Sequence, residues 1–332
     1  MIEQRTLGRT GLKVAVLGFG CGAVGGLMVR GTPADQERAV ARAVDLGINY
    51  FDTAASYGNG ESEKNLGRVL AKLKPNVHVG TKVNVPVAER GRVGAAIAAS
   101  LEASLQRLGR ESVDLFQLHN HITADGHGSA FTPRTVLDEV VPTLQRLRQQ
   151  GKTKFFGITA VGDADALHAV IAARAIDTMQ MPYNLLTPSA GGKLPDGYPA
   201  HDFKELMVRG REAGVGVIGI RALAAGALSG EAARHPIAAA NVEPIASGSS
   251  YAADLARARL LLPLVAEGHA ASLVEAALRF VISHEAISTM LIGIATPEQF
   301  EIAAAAVAKG PLSPAALARV AELQRGFAGQ AR

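Results

Sequence analysis

The sequence predicts an α/β fold, a (β/α)8 barrel of the TIM type with an N-terminal β-hairpin and long loops at its C-terminal face. Short apolar runs alternate with segments of helical period along almost the whole chain. Eight strand–helix pairs can be counted, which is the number that closes such a barrel. Glycine stands after several predicted helices, at Gly47, Gly151 and Gly214, where it suits a C-terminal cap.

The strands are predicted from short apolar runs, which are typical of strands buried on both faces. The predicted strands are Val16–Phe19, Tyr50–Phe51, Val77–Val79, Val113–Leu118, Phe155–Ile158, Thr178–Met181, Val215–Ile220 and Met290–Ile292. The predicted helices are Pro33–Leu46, Ser62–Leu73, Val93–Leu108, Thr135–Gln149, Asp163–Arg174, Asp202–Ala213, Ser272–His284 and Pro297–Ala308.

Three further segments depart from this repeat. Arg5 to Leu17 reads as a hairpin whose turn is Gly-Arg-Thr-Gly. Thr187–His201 and Gly230–Arg257 are expected to be long irregular loops after the sixth and seventh strands. Loops that follow barrel strands form the catalytic face, so these two are expected to shape a substrate pocket. No interdomain linker stands out, and residues 1–332 are therefore predicted to be one domain.

Composition excludes several classes of function. The chain has 332 residues, 48% of them hydrophobic, and a formal net charge of only +4 without a dense cationic cluster, which argues against a nucleic-acid partner. A lone cysteine, Cys21, fits a reducing compartment and is expected to be a small buried apolar residue. No apolar run suits a signal peptide or a membrane helix. We expect a cytoplasmic protein without a membrane partner, and the sequence does not indicate its oligomeric state.

Polar residues follow three consecutive predicted strands. Asp52 and Tyr57 follow the second strand, Lys82 the third and His119 the fourth. The C-terminal ends of barrel strands converge on one rim, so these side chains are expected to share one pocket. Each taken alone has an ordinary structural explanation, whereas the set of four suggests a catalytic site.

The set of four has a chemical logic. An ammonium group beside a tyrosine hydroxyl favours the phenolate, and an aspartate holds the ammonium in place. The tyrosine can then give a proton to a carbonyl oxygen that is becoming an alkoxide. A nearby histidine can hydrogen-bond the same oxygen. No side chain supplies a hydride, so a redox cofactor is required.

These segments resemble the signature segments of the aldo-keto reductase family. The resemblance rests on Phe-Asp52-Thr-Ala-Ala-Ser-Tyr57-Gly, Thr-Lys82-Val and Asp114-Leu-Phe-Gln-Leu-His119, and on an opening Leu-Gly-Arg-Thr-Gly that is similar to that of long-chain bacterial members. It extends from about Thr6 to Ala308 and implies a (β/α)8 barrel. It also implies NAD(P)(H)-dependent reduction of a small carbonyl compound, with Tyr57 as the proton donor.

The resemblance also implies a cofactor site. In Gln180-Met-Pro-Tyr183, the glutamine is expected to bind the carboxamide and the tyrosine to stack on the nicotinamide. Leu223, Gly226, Leu228 and Gly230 fall in a segment similar to the one that wraps the pyrophosphate, and Arg221 precedes it. The complete predicted set is Gly20, Thr159, Gln180, Tyr183, Arg221, Leu223, Gly226, Leu228, Gly230, Gly293, Thr296 and Gln299.

The chain departs from the family pattern where the adenosine phosphate is expected. The segment Gly293-Ile-Ala-Thr296-Pro-Glu-Gln299 lacks the lysine or arginine that usually holds a 2′-phosphate. Ala303 stands where an asparagine often meets adenine. In a separate segment, Phe156-Gly-Ile-Thr159-Ala160, Ala160 stands where an asparagine is usual. The cofactor is therefore predicted to be NADP(H) or NAD(H), with little discrimination between them.

Three alternatives were weighed against this interpretation. The run from Gly20 to Gly25 fits the dinucleotide pattern G-x-G-x-x-G, with Asp52 as the ribose-binding acid, but the next helix begins too late for a Rossmann fold. His119 and His121 suggest a metal-dependent barrel hydrolase, although further ligands are lacking and no metal is predicted. A non-catalytic binding subunit is disfavoured by the intact set of four.

Overall fold

An antiparallel hairpin opens the chain. The computed structural model describes residues 2–330, and within it β1 (Gln4–Thr6) pairs with β2 (Lys13–Ala15). The predicted Gly-Arg-Thr-Gly turn forms a 3₁₀ turn and ends at Gly11 with φ 71°. Leu7 and Val14 are fully buried against residues of the barrel interior such as Leu115, so the hairpin closes one end of the barrel.

The strands that follow form a closed parallel barrel, which confirms the predicted fold class. Each strand pairs with its neighbours in sequence, and the last strand pairs with the first. Within residues 2–330 the barrel strands are β3 (Leu17–Gly20), β4 (Tyr50–Asp52), β5 (His78–Val83), β6 (Val113–Leu118), β7 (Thr153–Thr159), β8 (Thr178–Pro182), β9 (Gly216–Ile220) and β10 (Ile287–Gly293). A Rossmann fold binds its dinucleotide in a crevice where the strand order of an open sheet reverses. A closed barrel has no such point, so the Rossmann alternative is excluded.

Helices surround the barrel, and the predicted ones are present with shifted ends. They are α1 (Leu27–Arg30), α2 (Pro33–Asp45), α3 (Glu61–Leu73), α4 (Val93–Leu108), α5 (Pro133–Thr135), α6 (Val141–Gln149), α7 (Ala164–Ala172), α8 (Leu206–Glu212), α9 (Tyr251–Arg259), α10 (Pro263–Ala266), α11 (Leu273–Ser283), α12 (Pro297–Ala308) and α13 (Pro314–Arg325). Gly47, Gly151 and Gly214 adopt positive φ after their helices, as the caps require.

Two predicted helices differ for identifiable reasons. The helix expected over residues 135–149 has a π-helical turn at Val136–Val140, because Pro142 has no N–H for a regular hydrogen bond. The helix expected from Asp202 begins only at Leu206. The Asp202 carboxylate accepts from the Lys204 N–H, and Lys204 and Glu205 have positive φ, so a turn replaces the first helical residues.

The long segment Gly230–Arg257 is only partly the irregular loop that was expected. Its last part is α9, which Ser250 caps by accepting from the Ala253 N–H. Helix α9 carries a buried ion pair, Asp254 with Arg257 at 2.9 Å. Arg257 also donates to the Pro199 carbonyl at 2.7 Å, so the pair joins the two long loops.

The predicted domain spans residues 1–332, of which Met1, Ala331 and Arg332 lie outside the described residues. Between residues 2 and 330, no helix combines the length and the apolar character needed to cross a bilayer. Cys21 is buried, as expected, and burial raises the pKa of its thiol.

We expect Arg257→Met to lower the free energy of unfolding by about 3 kcal/mol, because it leaves the Asp254 carboxylate buried without its partner. Arg259→Met on the same helix is the control, since Arg259 is exposed and, within residues 2–330, its side chain donates one hydrogen bond, to the Gly230 carbonyl. Urea unfolding of both variants measures the difference. Equal stabilities would mean that the buried pair does not hold this region together.

Candidate active site

A cleft of about 580 Å³ opens at the C-terminal ends of the barrel strands. Asp52, Tyr57 and His119 line its floor, which brings together side chains from the ends of β4 and β6 and the loop after β4. Lys82 lies just beneath them and is 1% exposed. Three of the four residues predicted to share a pocket therefore line it, and Lys82 contacts Asp52 and Tyr57 from beneath.

Lys82 is the centre of this group. Its Nζ forms an ion pair with the Asp52 carboxylate and donates to the Thr53 carbonyl at 2.7 Å. The same Nζ lies 3.2 Å from the Tyr57 hydroxyl oxygen. Burial alone lowers the pKa of Lys82, but Asp52 and Tyr57 outweigh this and raise it, so the ammonium form is maintained.

Both carboxylate oxygens of Asp52 accept hydrogen bonds from neighbouring side chains. One accepts from Lys82, and the other accepts from the Tyr50 hydroxyl at 2.9 Å and from Gln180 Nε2 at 2.7 Å. Burial raises the pKa of the Asp52 carboxyl, whereas these donors favour its charged form. The result is a buried Asp–Lys pair whose position is fixed by its neighbours.

His119 directly follows β6, the strand that pairs with the one carrying Lys82, and it lies beside Tyr57. The rings of Tyr57 and His119 are 5.9 Å apart at their centroids and nearly perpendicular. Burial, followed by the charge of Lys82, lowers the pKa of His119 to about 3. The imidazole is therefore neutral at physiological pH.

The residue after His119 fixes the strand end. Asn120 accepts from the Val85 N–H at 2.8 Å and donates to the Val85 and Ser129 carbonyls. These bonds tie the loops after β5 and β6 together. The His119 backbone is thereby held in one place relative to Lys82.

Most of the predicted cofactor residues face the same cleft. Those that line it are Gly20, Thr159, Gln180, Arg221, Leu223, Gly226, Gly293 and Gln299. They lie along its walls from β7 and β8 to the start of α12.

Tyr183 requires a correction. Its ring stacks on Phe280 at 5.2 Å and meets His284 edge-on, and it faces a separate cavity outside the barrel mouth. It follows β8, and alternation along a strand sends its side chain to the outer face, opposite to that of Gln180. Stacking on a ring inside the cleft is incompatible with this position.

Leu228, Gly230 and Thr296 also lie away from the cleft wall. Leu228 is fully buried in the core, and Gly230 ends the 3₁₀ turn Ala224–Ser229 with φ 79°. The Thr296 hydroxyl caps α12 by accepting from the Gln299 N–H at 3.3 Å. These residues have structural roles, and the cofactor contacts expected of them stay a prediction.

Thr159 and Gln180 offer polar groups to a ligand in the cleft. The Thr159 hydroxyl is buried and lacks a hydrogen-bond partner among the described residues. Gln180 donates to Asp52 through Nε2, which leaves its carbonyl oxygen able to accept. A carboxamide has both a donor and an acceptor, so these two side chains fit the nicotinamide end of a dinucleotide.

The hydrolase alternative receives no support. Across residues 2–330, no group of three or more His, Cys, Asp or Glu side chains is arranged to hold a metal ion. His119 and His121 both line the cleft, but further ligands do not approach them there.

Sequence reasoning missed two residues that shape the site. Tyr50 precedes Asp52 by two positions on β4, so the period of a strand indicates that both face the interior. Asn184 donates to the Arg221 carbonyl at 2.9 Å and accepts from the Leu186 and Thr187 N–H groups. No local sequence pattern indicates that contact, because it joins loops from different strands.

The whole barrel also matches a known family. A model of the aldo/keto reductase family matches residues 16–325. The chain belongs to the aldo/keto reductase family. This family is one of oxidoreductases that reduce carbonyl compounds with nicotinamide cofactors.

Known relatives differ in what their names say they act on. L-galactose dehydrogenase of Arabidopsis thaliana is 37% identical over 48% of this chain and 49% of its own length. The chain thus spans about half the length of that relative, and likewise 51% of an aldo-keto reductase of Gibberella moniliformis. Pyridoxal 4-dehydrogenase of Microbacterium luteolum is 27% identical over 90% of both chains.

A solved structure has the same fold. The holo form of aldo-keto reductase AKR11C1 from Bacillus halodurans superposes with a TM-score of 0.73 at 24% identity, covering 100% of this chain and 98% of that one. At this identity the likeness concerns the fold.

The lowered pKa of His119 predicts a pH dependence of stability. Between its folded value of about 3 and its ordinary value of 6.5, the unfolded chain binds a proton that the folded protein does not. This contribution is present above the ordinary value and is lost as the pH falls toward the folded one. We expect the wild type to lose about 2 kcal/mol relative to His119→Gln between about pH 7 and pH 5.

Urea unfolding across that pH range measures the effect, and His127→Gln on an exposed loop is the control. Parallel pH curves for wild type and His119→Gln would contradict a suppressed protonation of His119.

Proposed function

We propose that this chain interconverts an aldehyde, ketone or sugar carbonyl with its alcohol, using a nicotinamide cofactor and Tyr57 as general acid and base. One observation carries the proposal. The Lys82 ammonium bridges the Asp52 carboxylate and the Tyr57 hydroxyl at the floor of the cleft. The catalytic unit that we propose is the single domain of residues 1–332.

Tyr57 moves the proton in this scheme. In reduction its hydroxyl gives a proton to the carbonyl oxygen as that oxygen gains charge, and Lys82 stabilises the phenolate that remains. Asp52 keeps the ammonium beneath the tyrosine rather than exposed to water. In oxidation the same groups accept the proton of the alcohol.

His119 orients the reacting oxygen. Because its imidazole is neutral, one ring nitrogen carries a hydrogen and can donate a hydrogen bond. The other ring nitrogen carries no proton, so it cannot give one to the substrate in place of Tyr57. Both side chains line the same cleft, with their rings nearly perpendicular. A carbonyl oxygen there would meet both donors.

The cofactor, when bound, supplies or accepts the hydride. Thr159 and Gln180 would hold the carboxamide, and Leu223 and Gly226 would contact the pyrophosphate. Gly20, Gly293 and Gln299 would line the remaining wall. The unpartnered Thr159 hydroxyl supports this assignment, because a buried polar group is normally hydrogen-bonded.

We expect Tyr57→Phe to reduce kcat for carbonyl reduction by about a hundredfold to ten-thousandfold, while cofactor affinity and stability change little, since only the proton donor is removed. Cofactor oxidation with a panel of aldehydes, ketones and aldoses measures it. Tyr198→Phe is the control, because Tyr198 is a buried tyrosine that faces the second cavity. Wild-type turnover by the Tyr57 variant would assign the proton to another group.

The adenosine end of the cleft favours NAD(H). Glu298 at the start of α12 forms an ion pair with Arg38 at 2.8 Å, and its pKa is lowered by its own backbone N–H and then by Thr296. Gln299 accepts from the Ala295 N–H at 2.8 Å. The polar groups at the N-terminus of α12 that would hold a 2′-phosphate are thus already hydrogen-bonded. The Glu298 carboxylate also takes the position at the positive end of the helix dipole that a bound phosphate would need.

We expect NADH to support turnover. We also expect NADPH to bind at most about a hundredfold more tightly than NADH, a difference in binding free energy of roughly 2.7 kcal/mol. Glu298→Gln is expected to improve NADPH binding and leave NADH binding nearly unchanged, because only the phosphate meets the removed charge. The dissociation constants of both reduced cofactors at fixed salt measure this. A stronger preference for NADPH would mean that a cation outside this segment holds the 2′-phosphate. Lys193 does not provide it, because its side chain faces the second cavity.

A further inference from the structure

Arg221 is a cation in the cleft that lacks an acidic partner. It follows β9 directly and lines the same cleft as Tyr57. Among the described residues its guanidinium forms no ion pair, and its one hydrogen bond is from Nη1 to the Glu243 carbonyl at 3.2 Å. A guanidinium has five N–H donors, so most of them remain available to a ligand.

Neighbouring arginines are engaged in holding the protein together. Arg234 also lines the cleft, but it donates to the Ala225 and Ala239 carbonyls and stacks on the Tyr251 ring. Arg257 pairs with Asp254 in the core. Arg234 also has no carboxylate partner, but three contacts hold it in place, whereas Arg221 has one hydrogen bond among the described residues.

The backbone fixes where Arg221 points. Its φ is 59°, in the left-handed region that a residue with a side chain rarely adopts. The Asn184 side chain and the Ala224 N–H both donate to its carbonyl, at 2.9 and 2.7 Å. Strained conformations that the surroundings enforce are concentrated at functional sites.

The charges that line the cleft favour an anion. Asp52 is the acidic side chain that lines it within residues 2–330, and Lys82 neutralises that carboxylate. Burial lowers the pKa of Arg221, with Tyr57 and Asp254 opposing this, but a guanidinium remains protonated in proteins. Among residues 2–330, the lining of the cleft therefore has positive charge, from Arg221 and Arg234, that no ion pair with an acidic side chain neutralises.

We propose that Arg221 binds an anionic group, a carboxylate or phosphate, on the carbonyl substrate. This inference rests on the proposed function and narrows its substrate class. The carbonyl would lie at Tyr57 and His119 while the anionic end of the same molecule meets Arg221. Guanidinium groups bind such planar or tetrahedral anions with paired, charge-assisted hydrogen bonds.

The cofactor's pyrophosphate is the other source of an anion here. The turn Ala224–Ser229 has left-handed residues at Ala225 and Gly226, and Arg234 Nη1 lies 3.2 Å from where a Gly226 Cβ would stand. That turn, with Arg234 beside it, suits the pyrophosphate. Arg221 lies before the turn, at the strand end that forms the rim with Tyr57, and this favours the substrate.

The test compares 4-carboxybenzaldehyde with its neutral methyl ester, methyl 4-formylbenzoate, using NADH and the full chain. The variants are Arg221→Met and Arg221→Lys, with Arg209→Met as the control, since Arg209 pairs with Glu212 on the exposed face of α8. The ratio of kcat/KM for acid and ester cancels their difference in intrinsic reactivity when variant and wild type are compared. Binding of the product 4-(hydroxymethyl)benzoate in the presence of NAD is measured separately by calorimetry.

We expect Arg221→Met to lower the acid-to-ester ratio by about ten- to a hundredfold, to weaken product binding similarly and to leave the NADH dissociation constant unchanged. Arg221→Lys should recover part of the ratio, because it restores the positive charge without the paired N–H donors of a guanidinium. Equal losses on both aldehydes, or weaker NADH binding with an unchanged ratio, would overturn the proposal and assign Arg221 to the pyrophosphate. Selective product binding without turnover of either aldehyde would retain this anion site and refute the proposed reaction.

Discussion

The buried ion pair between Lys82 and Asp52 is the constraint on which the rest of the site depends. Two charges are removed from water at the bottom of the cleft, and such a pair is stable only when its remaining hydrogen-bonding capacity is satisfied. Tyr50 and Gln180 provide this for Asp52, and Thr53 and Tyr57 provide it for Lys82. The Tyr57 hydroxyl, which we propose as the proton donor, is thus part of the same network that stabilises the pair.

That network explains why the site requires a barrel. Its members come from β4, β5 and β8, which are distant in sequence and meet only because parallel strands close into a ring. The layer below is apolar, with Leu115 and Ile218 among its members, and excludes water from beneath the charges. The polar layer above it faces the cleft, so the apolar core lies directly beneath the side chains that we propose as catalytic.

The fold and the grouping of four polar side chains at the strand ends were predictable because their signals are local or periodic. Strand ends share a rim in any such barrel, and Asp52, Tyr57, Lys82 and His119 could be placed there by counting. Tyr183 was misassigned because the sequence shows that a residue follows a strand without showing which way the chain turns after it. Here alternation sends its ring outward, against Phe280.

Contacts between loops were beyond the reach of the sequence for a different reason. Arg30 on α1 donates to the carbonyls of Ala23 and Ile237, and thereby links the loop after β3 to the one after β9. Carbonyl acceptors are present at every position of a chain, so no residue type indicates which one is used. The same holds for Asn184 and the carbonyl of Arg221.

The hairpin of β1 and β2 has a practical consequence for anyone who modifies this protein. By filling the N-terminal end of the barrel with Leu7 and Val14, it leaves the opposite end as the route by which small molecules reach the interior. A fusion partner, affinity tag or surface tether joined ahead of Ile2 would emerge on the sealed side, a full barrel length from the reacting groups. Immobilisation through that end would keep the cleft facing the solution.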